Sequence, residues 1–596
     1  MERFARQAAD ALSQVLPQPV QAGQMEIPPD TKLGDFAFPC FRLAKEMKKS
    51  PNDAAKEIVK LLTDKGSVPK TLTVAAVGPY VNFTVSGAEA AHALLNDILK
   101  GEGNGEYGRF EGPSRGTWVI EFSSPNVAKP FMIYHFRPTG LGACLDRVGR
   151  YRGYRMVSIN HLGDWGTQFG KLYVAMKLYG NELPPNPGIR DLVELYVKLH
   201  AAIETKPELE DEARAAFKRL EEKDPEVTAV WKKCIEISMK EFNALYEKLD
   251  VKFDHVWGES FYEDQLRPLL AKLKAEGILV QSEGAWVANV TDEKGRELTP
   301  CILEKSDGST IYATRDVAAA LYRYEKYHFD RMTYVVGGEQ RLHFQQVFGV
   351  LRKMGMEWAS RLEHVPTGLY RFKDAKMSTR KGNFVTLEDV WTLVKDRVRT
   401  LMKERVSLST AAGGRDGEAL SPAELADIEE KVAIAAIVFH DLAADPGREV
   451  EFDVERVADF EGETGPYLQY AHTRCLSILR KAAEAGTPLP AYSSASLSAA
   501  VDRAVGQLKK DEEIRLVKIL GQFPHHLERT LEHRKASQLA NYLIDLVKAY
   551  GEFYRECHVL GQAKELTEAR LLLVESARRI LAQGLHLLGI PLPDRM

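Results

Sequence analysis

The segment Glu121–Gly142, EFSSPNVAKPFMIYHFRPTGLG, constrains this chain more than any other stretch. Val119, Ile120 and Phe122 have the pattern of a buried strand near its end. Ser123, Ser124, Pro125 and Asn126 break that run, because proline lacks an amide donor and serine and asparagine favour turns. Pro130 marks a second bend. From Phe131 onward the spacing suits a helix, with His135 and Arg137 near its start. Pro138 is expected near the N-terminal end, where proline is tolerated, and Gly140 and Gly142 permit close packing. Strand, polar loop and helix N-terminus together bring backbone amides to a phosphate, and Lys129 and His135 add charge or donors there. An ordinary βα turn shares this geometry, but it has no need of Glu121, Asn126, Lys129, His135 and Arg137 together.

A chain of 596 residues holds several domains. Its formal net charge of −4 neither requires nor excludes a nucleic-acid partner, since abundant Lys and Arg allow local basic surfaces. No apolar run is long enough for a bilayer, so no membrane association is expected. The start, MERFARQAADALSQVL, reads as an amphipathic helix without a secretory core. The six cysteines are scattered with no CxxC pair, which argues against a disulfide framework or thiolate metal site and for a cytoplasmic location.

Residues 1–100 read as a compact α+β unit, with strands at Leu72–Val77 and Tyr80–Val85 around the turn Gly78-Pro79. Tyr80 and Asn82 share a face of the second strand, an arrangement suited to an unpaired base and equally to a packed sheet. The glycine-rich run 101–116 is a linker. Tyr154–Ile159 is a further strand, and the loop after it, NHLGDWG, offers His161 and Asp164 as a metal or acid/base pair or as loop-orienting groups. The repeated strand–loop–helix rhythm over 116–390 predicts a parallel sheet with its ligand at the strand carboxyl ends. About 184–280 reads as a charged helical insertion. Tyr312 and Asp316, four apart, belong on one helix face. A strand at Thr333–Val336 leads to Gly337, Gly338, Glu339 and Gln340. KDAKMSTRKGN, residues 373–383, is a basic loop suited to stabilising polyphosphate charge. From 391 to 596 the pattern is helical almost throughout.

The histidine-bearing strand–helix turn and the distant KMSTRKGN resemble the HIGH and KMSKS signatures of class I aminoacyl-tRNA synthetases. EFSSPNVAKPF, NHLGDWGTQFG, YATRDVAAALYR, FEGETGPYLQYAHTR and the ending LGIPLPDRM narrow the resemblance to the arginyl-tRNA synthetase family, over essentially the entire chain. That resemblance implies an α/β class I Rossmann-type catalytic domain, an N-terminal α+β domain touching the tRNA elbow, and a C-terminal all-α anticodon-binding domain. It implies ATP-dependent formation of arginyl-adenylate, transfer to tRNA(Arg), Mg²⁺ travelling with ATP, and a monomer.

The resemblance also assigns residues. Lys129, His135, Lys376 and Ser378 take the catalytic positions. Glu121, Asn126, Tyr312, Asp316 and Gln340 line the arginine pocket, Tyr312 and Asp316 at the guanidinium end, Asn126 and Gln340 at the ammonium and carboxylate end. Lys129, His135, Gly142, Lys376 and Met377 meet ATP. Tyr80, Asn82, Tyr554 and Met596 meet tRNA. One departure stands out: the family commonly reads HxGH where this chain has Met132, Ile133, Tyr134 and His135. Lys129 is placed to supply the charge of the second KMSKS lysine, because Thr379 occupies that place. The altered first signature keeps open an alternative reading, a synthetase-like paralogue that binds tRNA or arginine with weak adenylation.

Overall fold

The computed structural model describes residues 1–28, 31–100, 106–372, 385–411, 420–489 and 494–596. The N-terminal unit packs α1 (Glu2–Ser13), α2 (Phe41–Glu46), α3 (Pro51–Asp64) and α4 (Gly87–Leu99) with an antiparallel sheet. That sheet has β1 (Phe36–Pro39), β2 (Leu72–Val77) and β3 (Tyr80–Val85) in the order β1-β3-β2. The start of α3 shows why its residues form a helix there. Ser50 caps it by accepting from the Asp53 amide at 3.2 Å, and Pro51 occupies the first turn.

The catalytic region is built on β4 (Thr117–Glu121), α5 (Ile133–Tyr151), β5 (Arg155–Asn160), α6 (Gln168–Tyr179), α7 (Ile189–Thr205), α8 (Glu208–Glu221), α9 (Pro225–Lys248) and β6 (His255–Val256). It continues through α10 (Glu263–Ala275), β7 (Val280–Ser282), β8 (Ala285–Ala288), β9 (Cys301–Glu304), α11 (Tyr312–Tyr327), β10 (Arg331–Gly337), α12 (Arg341–Lys353) and β11 (Leu362–Thr367). Five of these strands form a parallel sheet in the order β11-β10-β4-β5-β6. The order reverses between β4 and β10, which opens a crevice at their carboxyl ends where Glu121 and Gly337 lie.

Three sequence expectations change. The stretch 184–280 is not one helical insertion, because β6 within it pairs with β5 and closes the parallel sheet. The short strands between 280 and 304 stand outside the parallel sheet expected over 116–390 and form a separate antiparallel sheet, in the order β7-β8-β9. The region beyond 391 contains a strand, β13 (Val450–Phe452), which pairs in parallel with β12 (Tyr370–Phe372). These short strands acquire their identity from distant partners, a relation that local periodicity does not record.

Beyond β12, helices Leu387–Ala411, Pro422–Leu442, Gly465–Glu484, Ser494–Val505, Asp511–Leu520, Phe523–His533, Ser537–Glu556 and Lys564–Leu588 form the C-terminal region. It packs back on both preceding units. Lys518 forms an ion pair at 2.7 Å with the buried Asp35 of the N-terminal unit. Arg147 of α5 donates to the Leu587 carbonyl at 3.0 Å.

Helix α5 is buried along nearly its whole length. Pro138 lies at its sixth position rather than in its first turn, so the backbone bond proline would make to Tyr134 is missing. Gly142 lies deeper still. A Cβ built on it would come within 2.2 Å of Phe122, so glycine is what lets α5 settle against the end of β4. Its place is a packing contact, about 13 Å along the helix from Ile133 at the standard rise. Gly142→Ala is therefore expected to cost about 1–3 kcal/mol by overpacking. Urea unfolding should show that loss, with little change in the KM for ATP.

Candidate active site

The loop after β4 is strained. Ser123, Ser124 and Ala128 have φ of 74°, 49° and 60°, a region that side chains normally avoid. Each such residue costs about 1–3 kcal/mol and persists only where surroundings hold it. They do so here. Ser123 Oγ lies 2.7 Å from Tyr246 Oη, the Ser124 amide donates to Asn160 Oδ1 at 3.1 Å, and the Ala128 amide donates to Ser238 Oγ at 2.9 Å. Tyr246 and Ser238 belong to α9, so that helix acts as the buttress of the loop. Asn126 bridges to Gly163, where a Cβ would lie 2.3 Å from Asn126 Oδ1. This contact holds the β4 and β5 loops together.

The helix that follows begins with a reciprocal turn. The Met132 amide donates to His135 Nδ1 at 3.1 Å, and the His135 amide donates to the Met132 carbonyl at 2.9 Å. The Ile133 amide is taken by the Val385 carbonyl at 3.2 Å. The row of amides expected to cradle phosphate is thus partly spent on the protein itself. What remains is the imidazole. Burial, and then the charge of Lys129, push the His135 pKa down to about 4. The ring is neutral near pH 7. With Nδ1 accepting, the proton resides on Nε2, a tautomer set by the backbone. Lys129 is exposed one turn earlier.

The two departures from the HxGH pattern occupy different environments. Met132 is buried and forms a bridge with Thr386. The Tyr134 ring is 47% exposed and rests edge-on against His135 with centroids 4.4 Å apart. Burial, and then nearby Glu339, raise its phenol pKa.

Across the crevice, Tyr312 and Asp316 meet the same imidazole, which confirms that they share a helix face. Asp316 Oδ2 lies 2.5 Å from His343 Nε2, and the Tyr312 ring is 4.8 Å from the His343 ring. Asp316 Oδ1 lies 3.7 Å from His161 Nε2. Burial would raise the Asp316 carboxyl, but His343, His161 and Arg323 together hold it below the ordinary value. His161 Nδ1 donates to the Trp257 carbonyl at 2.9 Å, leaving Nε2 toward Asp316. Glu121 is buried and bonds through Oε2 to Nη1 of the fully buried Arg323 at 2.5 Å. Gln340 is half-buried at the end of the short 3₁₀ turn after β10.

Sequence reasoning passed over one carboxylate. Glu259 lies in a 3₁₀ turn of a charged stretch, with no local pattern to mark it. The fold sets it 4.0 Å from Arg315 and within the field of His161, Asp316 and Asp164. Burial, reinforced by those two acids and opposed by His161 and Arg315, pushes its pKa up to about 7. Asp164 itself orients the loop: its carboxylate accepts from the Ser260 amide at 2.9 Å and from Ser260 Oγ at 2.6 Å.

The remaining candidates lie apart. Tyr80 is half-buried and edge-on to the exposed ring of Phe41 at 5.7 Å. Asn82 is buried, with its Nδ2 donating to the Leu33 carbonyl at 2.6 Å. Tyr554 is 40% exposed beneath the guanidinium of Arg474, which also lies over Tyr470. Met596 packs partly buried against the core. Lys376, Met377 and Ser378 lie outside the described residues. The chain on either side of them is placed, however: the Leu387 amide donates to the Phe131 carbonyl at 3.0 Å. The chain just beyond the second signature, Val385–Leu387, thus adjoins the first signature, some 240 residues away in sequence.

A parallel sheet of this order, with a signature histidine on the helix after its first strand and the chain that follows the basic signature returning to that helix, has the architecture of a class I aminoacyl-tRNA synthetase. Three family models cover most of the chain: the arginyl tRNA synthetase N-terminal domain (2–85), the class I (R) tRNA synthetase catalytic domain (98–454) and the DALR anticodon binding domain (468–596). An arginine–tRNA ligase of an Exiguobacterium species is 41% identical, with all of both chains covered. Arginine–tRNA ligase 2 of Bacillus anthracis is 38% identical over all of this chain and 99% of its own. The arginyl-tRNA synthetase structure from Thermus thermophilus matches the fold over the full length of both chains, with a TM-score of 0.79 at 23% identity. This chain belongs to the arginyl-tRNA synthetase family.

The protonation states lead to a test. Because its folded pKa is depressed below the ordinary histidine value of about 6.5, neutral His135 contributes stability present above that value and lost as pH falls through about 4. In labelled protein, the His135 ring resonances should not titrate between about pH 5 and 8. A midpoint near 6.5 would show that the imidazole is not held as described.

Proposed function

We infer that this chain joins L-arginine to tRNA(Arg) with ATP, through an arginyl-adenylate, releasing AMP and pyrophosphate. The observation that carries this reading is the pocket at the switch point, where Asp316 meets His343 and His161, and Glu259, 4.0 Å from Arg315, lies within the field of Asp316 and His161. A guanidinium presents a planar fork of donors that two carboxylates match. We assign that fork to Asp316 and Glu259, with Tyr312 at the rim. Asn126, Gln340 and the Glu121 oxygen not held by Arg323 take the ammonium and carboxylate end.

The substrate carboxylate attacks the α-phosphorus, the bond to the bridging oxygen breaks, and pyrophosphate leaves. A terminal ribose hydroxyl of tRNA then attacks the acyl carbon and displaces AMP. Neither step needs a protein nucleophile, so positioning and charge stabilisation do the catalysis. Lys129 and the Nε2 proton of His135 act on the phosphoryl oxygens from one side, and Lys376, Met377 and Ser378 from the other. Among the described residues no three His, Cys, Asp or Glu side chains converge as metal ligands. Magnesium is assigned to the substrate, as MgATP, because it travels with the phosphates. Tyr80, Asn82, Tyr554 and Met596 are assigned to tRNA.

We place the enzyme in the cytoplasm as a monomer; six free, buried cysteines suit a reducing compartment. The full-length relatives are named as ligases, and none favours the binding-only alternative.

Arginine-dependent ATP–pyrophosphate exchange, with and without tRNA, tests the reading. Exchange should appear, and its absence under both conditions would favour the binding-only alternative. His135→Ala and Lys376→Ala should each slow adenylation by about 10²–10³. Asp316→Asn removes one partner of a buried charge contact, a change worth about 2–5 kcal/mol, and should appear mainly as a raised KM for arginine. Arginine affinity should rise with pH through about 7 as Glu259 ionises, and Glu259→Gln should flatten that dependence.

A further inference from the structure

Two residues beyond His135, α5 carries a cationic side chain that the reaction pocket does not use. Arg137 is buried, with a side chain 2% exposed. Its Nε lies 2.8 Å from Asp441 Oδ1 in the helix Pro422–Leu442. Its Nη1 donates to the Arg448 carbonyl at 2.6 Å and its Nη2 to the Asp445 carbonyl at 3.3 Å. The guanidinium lies over the Tyr370 ring at 5.6 Å, and Tyr370 Oη donates to the same Asp441 oxygen at 2.8 Å. Three elements far apart in sequence meet here: the first-signature helix, a helix of the C-terminal region, and β12. β12 ends at Phe372, immediately before the segment that carries Lys376, and the chain resumes at Val385 on the Ile133 amide. Both flanks of the second signature are thus referred to the first two turns of α5.

A purely adhesive contact would not need this chemistry, because well-packed apolar residues of equal volume often match or exceed a buried ion pair in stability. What charged and hydroxyl groups add is a defined register, since the planar fork of Arg137 donates to two backbone carbonyls while its charge faces Asp441.

We propose that Arg137, Asp441 and Tyr370 are positioning residues for adenylation, holding the His135 turn and the strand that leads to Lys376 in a single register fixed from the C-terminal helices. This rests on the activity inferred above. Adenylation depends on phosphate contacts from both signatures at once, and a misplacement of about 1 Å costs about 10²-fold in rate. The triad should therefore govern turnover and leave arginine binding, across the crevice, nearly untouched.

Steady-state exchange kinetics and thermal melts of the full chain test it. Tyr370→Phe deletes one oxygen and should lower kcat about 10-fold, and Arg137→Lys keeps the charge but loses the fork and should lower it about 10²-fold. The KM for arginine should stay within about twofold in both, with the proteins folded at the assay temperature. Tyr370→Phe combined with Asp441→Asn should be no slower than Asp441→Asn alone, because coupled groups do not add. An active parent whose Tyr370→Phe and Arg137→Lys variants melt earlier yet keep the parental kcat would reduce the triad to packing and overturn the proposal. If Arg137→Lys does not fold, Tyr370→Phe decides alone. A parent without arginine-dependent exchange overturns the inferred activity and this role together, a result distinct from the failure of the triad in an active enzyme.

Discussion

The ion pair between Arg323 and Glu121 is the constraint on which the pocket depends. A fully buried guanidinium is tolerable only with partners that meet its charge and its planar donors. Burial works against Arg323, but Tyr262, Glu121 and Tyr334 more than offset it and keep it firmly charged. Its Nε donates to Tyr262 Oη at 3.2 Å, and the rings of Tyr262 and Tyr334 flank it. One side chain of α11 thereby ties together the end of β4, the turn that carries Glu259, and β10. With Arg323 placed, Asp316 two turns earlier on α11 must face the crevice, where His343 and His161 meet it.

The phosphate side is organised differently. It relies on a strained loop clamped by serine, asparagine and tyrosine hydroxyl and amide groups, and on a histidine whose neutral form and tautomer are imposed by burial and by one backbone amide. The side assigned to the guanidinium brings two carboxyls, Asp316 and Glu259, into a poorly solvated pocket, whereas the side assigned to phosphate keeps a donor ready without a fixed cation in the helix turn. Each half therefore suits the charge of the group assigned to it. The altered signature fits the same logic: Met132 has become part of the core, while Tyr134 projects from the helix start where the common glycine has no side chain.

Most of the architecture was legible in the chain itself. The strand–loop–helix at Glu121–Gly142, the parallel rhythm, the i,i+4 pair Tyr312 and Asp316, and the helical C-terminal half all follow from local periodicity and turn chemistry, which act over a few residues. The first two strands of the crevice and the resting place of Asp316 were readable for that reason. The resemblance of the longer phrases supplied the family, which composition and spacing left open.

Only the tertiary structure could decide the rest. Glu259 has no distinguishing neighbours in sequence and becomes a pocket acid because a 3₁₀ turn packs beside β5. Gly142 reads as a glycine that permits close packing, and the fold names the partner as Phe122. β6 and β13 are strands only because β5 and β12 stand beside them. Arg137 looks like one more basic residue near a helix start, yet it is buried against Asp441 more than 300 positions away. Local patterning determines most of the longer helices, strands and loops, because backbone and neighbouring side chains settle those choices. Pocket charge, protonation and register depend on desolvation and on partners brought in from afar, and those exist only once the chain has closed on itself.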